Sequence, residues 1–198
     1  TDADVDNPGQ ALCALPDEIL ILPDETQNYE LGMHSTWLNN RLIVNGSMFY
    51  IDWTDIQIGD VTDNGGLPIT VNGGEARSQG VELSWRALLG DGWSTQGTYA
   101  YTNAELATDE PEFVDGDDAF KGDRLPGSPE HSFSFGITYD TSVFDGMPLL
   151  VNYGMSYTGN VYTRVGLRDF GEALPSYTLH NLSITLSGDV WDVTLYAK

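Results

Sequence analysis

From Ser132 to Tyr139 the chain reads Ser-Phe-Ser-Phe-Gly-Ile-Thr-Tyr, so Phe133, Phe135, Ile137 and Tyr139 alternate strictly with Ser132, Ser134, Gly136 and Thr138. A period of two places one set on each side of an extended strand. The same two-faced pattern occupies 29–37, 41–52, 76–87, 93–105, 149–158, 177–186 and 190–198. In 149–158, for example, Leu149, Val151, Tyr153, Met155 and Tyr157 oppose Asn152, Gly154, Ser156 and Thr158. Only 41–52 is blurred, by Ile43, Phe49 and Ile51 on its polar side. No stretch carries the 3.6-residue period of a helix of three turns. The expectation is an all-β chain of about eight antiparallel strands.

The connections alternate in length. Leu38-Asn39-Asn40, the run from Leu88 to Gly92 and Ser187-Gly188-Asp189 read as hairpin turns, with Gly or Asn supplying positive φ. The segment 140–148 is also compact. Between these lie 53–75, 106–130 and 159–176, which are long and rich in Gly, Asp and Pro. Short and long connections therefore fall on opposite ends of the strands. Residues 1–28, with Pro8, Gly9, Pro16 and Pro23, read as a loop ahead of the strands.

Charge narrows the functional classes. Eight Lys and Arg against 30 Asp and Glu give a formal net charge of −22. Nucleic-acid binding depends on cations that displace phosphate counterions, so it is excluded. An anionic-membrane surface binder needs a polybasic patch, which this chain lacks. No run approaches the roughly 20 apolar residues of a membrane helix. The single cysteine, Cys13, lies in the N-terminal loop. If that loop faces an oxidising compartment, a disulfide partner is expected upstream of Thr1.

Alternation alone does not separate a soluble sandwich from a membrane barrel. Three features favour the barrel. The segments run to about nine to twelve residues, the length needed to cross a bilayer at a tilt. Aromatic residues gather toward strand ends, among them Tyr29, Trp37, Tyr50, Trp53, Trp85, Trp93, Tyr139, Tyr157 and Trp191. Tight turns at one end and long loops at the other complete the outer-membrane signature. On this reading the Phe133 face meets lipid and the Ser132 face a polar lumen. Glu30, Glu82 and Arg86 fall on the lumenal side, where they are expected to meet each other or a plug. The competing reading is a soluble extracellular β-rich module whose long loops bind carbohydrate.

Five pieces in order, "ETQNYELGM", "RLIVNGSMFYIDWTDIQ", "NGGEARSQGVELSW", "GDRLPGSPEHSFSFG" and "LPSYTLHNLSITL" ahead of the final "WDVTLYAK", carry a family resemblance. From about Glu25 to Lys198 the chain resembles the C-terminal half of TonB-dependent outer-membrane receptors. The resemblance implies a barrel of about 22 strands around an N-terminal plug. It implies short periplasmic turns, long extracellular loops, and import of scarce substrates such as ferric siderophores with energy from TonB. The implied surroundings are outer-membrane lipid and lipopolysaccharide, the plug and TonB of a full-length parent, and a small-molecule or metal-chelate substrate. With residues 1–28 as an extracellular loop and 29–198 as partial barrel, the expectation is a fragment lacking plug and closing strand, unable to close or transport alone.

Few residues suggest chemistry. Asp2, Asp4 and Asp6 have calcium-loop spacing, but Asn7 and Cys13 stand where an EF-hand needs Gly and Glu, so a solvated loop is the reading. The run Asp109, Glu110, Glu112, Asp115, Asp117 and Asp118 solvates a long loop, with cation binding the lesser alternative. His34, His131 and His180 match no metal spacing. Without a nucleophile elbow, phosphate loop or zinc-protease motif, no enzyme and no cofactor is expected. Cations are so scarce that Arg124, Arg164 and Arg168 become candidate contacts for an anionic chelate, with Tyr157, Tyr162 and Phe170 as aromatic partners. The alternative is pairing with loop carboxylates or lipopolysaccharide phosphates.

Overall fold

A computed structural model of the chain describes residues 20–61, 68–114, 117–144, 146–167 and 171–198. Eight long strands form one antiparallel sheet in simple meander order. They are β1 (Glu25–Trp37), β2 (Leu42–Thr54), β5 (Glu75–Gly90), β6 (Trp93–Leu106), β9 (His131–Val143), β10 (Met147–Thr158), β13 (Tyr177–Ser187) and β14 (Asp192–Ala197). The eight alternating segments and these strands coincide. β1 begins at Glu25, inside the stretch read as loop, because Glu25 to Asn28 are polar on both faces and show no period.

The long connections hold more order than their composition suggests. β3 (Gln57–Val61) pairs with β4 (Pro68–Asn72), β7 (Glu110–Val114) with β8 (Asp117–Ala119), and β11 (Val161–Tyr162) with β12 (Ala173–Leu174). The one helical turn among the described residues is a 3-10 turn at Val165–Leu167.

At the other end the turns at 38–40 and 90–92 use left-handed backbone, whereas the Ser187-Gly188-Asp189 turn, expected to do the same, does not. Leu38, Asn39 and Asn40 have φ of 54°, 55° and 68°, and Gly90, Asp91 and Gly92 have 101°, 51° and 82°. Gly92 is required twice over, since a Cβ there would also collide with the Asp140 carbonyl that packs on it.

Register carries the two faces across the whole sheet. Phe135 lies opposite Gly97 and Met155, and Ser134 opposite Thr98 and Ser156. On the Phe133 face, Leu31, Met33, Met48, Val81, Leu83 and Leu195 are exposed, Leu31 to 69%. No described element covers this face, as a sandwich partner would. Gly97 on this face is capped by a ring: Trp85 lies over it and stacks on Phe133 with centroids 6.0 Å apart. At the tight-turn end Trp93 stacks on Tyr139 at 4.4 Å, and at the loop end Tyr29 meets Tyr50 at 6.5 Å. Aromatic pairs therefore mark both borders of the apolar band.

The opposite face is polar and concave. A hollow of about 720 Å³ runs along it, lined by Arg86, Gln96, Thr98, Ser134, Asn152 and Asn181 among others. Side-chain hydrogen bonds cross from strand to strand on this side: Thr98 to Ser134 at 2.6 Å, Thr138 to Asn152 at 2.8 Å, Asn45 to Ser84 at 3.4 Å. Concavity on the polar side supports the lumenal assignment.

Candidate functional site

The two ends of the sheet differ in chemistry, and the long-loop end holds the apolar core. Ile56, Ala76, Leu106 and Ala119 are buried together, with Trp53, Leu125 and Val165 packed against them. Trp53, Ala76 and Leu106 lie opposite one another in register and share the parity of the polar concave face. The remaining members come from all three long connections. The loops therefore fold inward over the upper edge of the hollow instead of splaying away from it.

Backbone bonds lace these loops to the strand ends. Leu106 N–H donates to the Asp123 carbonyl at 2.9 Å, and Leu125 N–H to the Ala104 carbonyl at 2.9 Å. Ala107 N–H donates to the Glu75 carbonyl at 2.8 Å, and Gly73 N–H to the Ile56 carbonyl at 2.8 Å. Trp53 Nε1 donates to Asp24 at 2.8 Å, tying the start of β1 to the same end.

Arg124 lies between two loops. Its Nη2 donates to the carbonyls of Ser128 at 2.8 Å and Asn160 at 2.9 Å. The guanidinium stands 5.0 Å from the centroid of the Tyr162 ring, and Nη1 is 4.0 Å from Glu130. Only 16% of its side chain is exposed. Tyr162 thus joins Arg124. Arg164 is half-buried in the adjoining turn and is itself engaged in an interaction. Tyr157 lies elsewhere: it pairs with Phe133 and Thr178 on the apolar outer face. Arg168 and Phe170 fall outside the described residues, as do Cys13 and the Asp2, Asp4, Asp6 stretch.

The acidic run serves local turns where it is described. Asp109 accepts from Lys121 N–H at 2.8 Å, Glu110 from Thr108 Oγ1 at 2.6 Å, and Asp123 from Phe120 N–H at 2.8 Å. Asp115, and the side chains of Glu112 and Asp117, lie outside the described residues. Among the described residues no group of three or more His, Cys, Asp and Glu is placed to hold a metal ion. The histidines are dispersed: His34 meets Asn45 at 3.1 Å, His131 meets Tyr99 at 3.0 Å, and His180 meets Tyr153 at 2.8 Å.

Glu30 and Glu82 share a second hollow on the polar face, of about 440 Å³, while Arg86 lines the larger one. All three occupy the lumenal side as expected. Among the described residues, neither acid forms an ion pair with Arg86.

On the outer face above the aromatic level, Arg77 sits opposite Asp52 and Glu105. Its Nε is 3.8 Å from Asp52 and its guanidinium stands 5.5 Å from the Tyr50 ring centroid. This polar band was missed in the sequence, because Asp52, Arg77 and Glu105 are far apart until register aligns them.

Comparison with known proteins agrees with this geometry. The family model described as "TonB dependent receptor-like, beta-barrel" matches residues 21–198. The ferrichrome outer membrane transporter/phage receptor of Escherichia coli K12 is 29% identical over 168 residues, covering 81% of this chain and 21% of the relative. A metal-pseudopaline receptor of Pseudomonas aeruginosa is 30% identical over 163 residues, with the same coverage of both chains. The crystal structure of the siderophore receptor PiuA from Acinetobacter baumannii superposes with a TM-score of 0.68 at 23% identity, over 89% of this chain and 24% of that one. The ferric yersiniabactin uptake receptor FyuA of Yersinia pestis gives 0.67 at 20% identity, over 87% and 24%. The chain spans about one fifth of the length of the curated relatives it matches.

Proposed function

We propose a transport role from one premise: the chain belongs to the TonB-dependent receptor β-barrel family. Its strands are outer-membrane barrel strands, with the Phe133 face toward lipid and the Ser132 face toward the lumen. In the full-length parent this wall surrounds a plug domain, and energy passed on by TonB drives import. The substrate class that best suits the relatives is a ferric siderophore.

The observation that carries this reading is the inward folding of the three loops over a polar concavity. Such a mouth holds a solute at the head of an aqueous path, whereas lipid meets only the other face. A soluble carbohydrate-binding module is disfavoured by the bare apolar face, which in water would drive association.

The charge of the mouth argues about the cargo. Arg124 is occupied by loop carbonyls and Glu130, and the 106–130 loop is otherwise strongly acidic. A neutral or cationic chelate therefore enters more readily than a polyanionic one, unless Arg164 and Arg168 offset the repulsion. The test is uptake of radioactive iron by iron-starved cells with and without the parent gene, offered as ferrichrome, a neutral hydroxamate, or as a polyanionic catecholate. Loss of uptake on deleting the gene, and equally on deleting tonB, is expected. Uptake indifferent to both deletions across the panel refutes the role.

A further inference from the structure

The two loop segments 123–130 and 159–167 are joined around Arg124. One Nη2 group donates to two carbonyls, that of Ser128 in its own loop and that of Asn160 in the other. The plane of the guanidinium lies against Tyr162 of the second loop. Around it, backbone bonds run both ways between the segments: Gly166 N–H donates to the Arg124 carbonyl at 3.0 Å, and Gly127 N–H to the Tyr162 carbonyl at 3.0 Å. Behind it, Leu125 and Val165 meet in the same apolar core.

We infer that Arg124 is a positioning residue that locks these two loops into one unit over the mouth, and not a residue that touches cargo. Three facts make the guanidinium the right group. It is largely buried, so little of its charge reaches solvent. Its planar fork meets two carbonyls and an aromatic face together, which an ammonium on a shorter, round-ended stem does not. Nη2 already donates to two acceptors in the loops themselves, and Nη1 faces the Glu130 carboxylate, which an incoming anion would have to displace. The consequence is mechanical. Whatever displaces the turn carrying Arg164 also displaces the 123–130 segment, and so reaches the strand ends Ala104 and Leu106 through the bonds to Leu125 and Asp123.

The inference rests on the transport reading only in placing these loops at the outer surface, and its test uses no substrate. In the full-length parent with Cys13 and every other native cysteine replaced by serine, spin labels attached at Lys121→Cys and Leu167→Cys report the separation of the two loops by pulsed electron paramagnetic resonance. Wild-type Arg124 is expected to give a single narrow distance peak. Arg124→Ala and Arg124→Lys are both expected to lose it in favour of a broad distribution, with barrel assembly checked by heat-shifted gel mobility. A narrow peak retained in Arg124→Ala overturns the inference. If the alanine variant does not assemble, Arg124→Lys decides: a peak kept by lysine shows that charge alone holds the loops and overturns the assignment to the planar fork. Failed uptake by the wild-type parent would strike the transport reading and leave this measurement standing.

Discussion

Replacing Phe135 and its neighbour Ser134 by arginine probes the orientation of the sheet most directly. Phe135 stands midway between His131 and Tyr139 on β9, the two ring-bearing positions that bound its outer face. The eight steps from His131 to Tyr139 span about 26 Å along a strand and, at a tilt of about 45°, roughly 18 Å of height, so Phe135 lies close to the bilayer midplane. A cation there carries a penalty of about 2–4 kcal/mol. At 1.4 kcal/mol per tenfold, that is roughly a 30-fold to 1,000-fold loss in the folding equilibrium. Ser134 lies one residue away, on the hollow side, bonded to Thr98 at 2.6 Å. Its replacement forfeits one exposed hydrogen bond, worth about 0.5–1.5 kcal/mol, and leaves the new charge in water. The assay is urea-dependent folding of the full-length parent into vesicles, read by gel mobility without heating. Phe135→Arg should lower the stability of the inserted barrel by about 0.5–3.5 kcal/mol more than Ser134→Arg. Equal effects of the two variants would refute the assignment of faces.

Two further outcomes follow from the geometry and a third from the scarcity of cations in the sequence. Leu106→Ala opens a cavity in the fully buried loop core and should destabilise the loop assembly by about 2–5 kcal/mol; hydrogen exchange should quicken across 119–125 while the β9 and β10 amides stay protected. Gly80→Ala drives a Cβ into the Tyr101 carbonyl and the Phe49 ring, and should lower the urea midpoint of the inserted parent by the equivalent of about 1–3 kcal/mol. If the cargo is an anionic ferric chelate, the Arg164→Ala/Arg168→Ala double variant, properly inserted, should weaken its binding measured by titration; unchanged affinity removes both residues from the site.

The strand framework was legible because each strand has unlike faces that the period of two exposes directly. The tight end was legible in part: Asn39, Asn40, Gly90 and Gly92 take the left-handed backbone expected of them, but so do Leu38 and Asp91, and Gly188 does not. What escaped was whatever depends on register or on loop packing. Asp52, Arg77 and Glu105 become neighbours only across three aligned strands. Ile56, Ala119 and Leu125 are isolated apolar residues in polar stretches, with no period to reveal that they meet Leu106. Arg124 drew notice as a scarce cation, but its carbonyl partners are backbone groups, which every residue possesses and no sequence distinguishes. Tyr157 was misleading in a different way. Its nearness in sequence to Tyr162 suggested one aromatic surface, yet it occupies the outer face while Tyr162 sits under Arg124.

β5 runs for 16 residues, yet its apolar outer residues begin only at Val81. The stretch from Glu75 to Gly80 therefore rises roughly 20 Å along the strand, some 14 Å in height, beyond the hydrocarbon. β6 accompanies it to Leu106, so the loop core rests on a rampart of paired backbone and not on the membrane surface. That overhang separates two kinds of heritable change. On the transport reading proposed above, substitutions in the loops would alter the mouth without disturbing the layer that must insert. Substitutions in the apolar band are constrained by lipid whatever the cargo. A change at the summit of such a wall is therefore separable from the foundation that must insert.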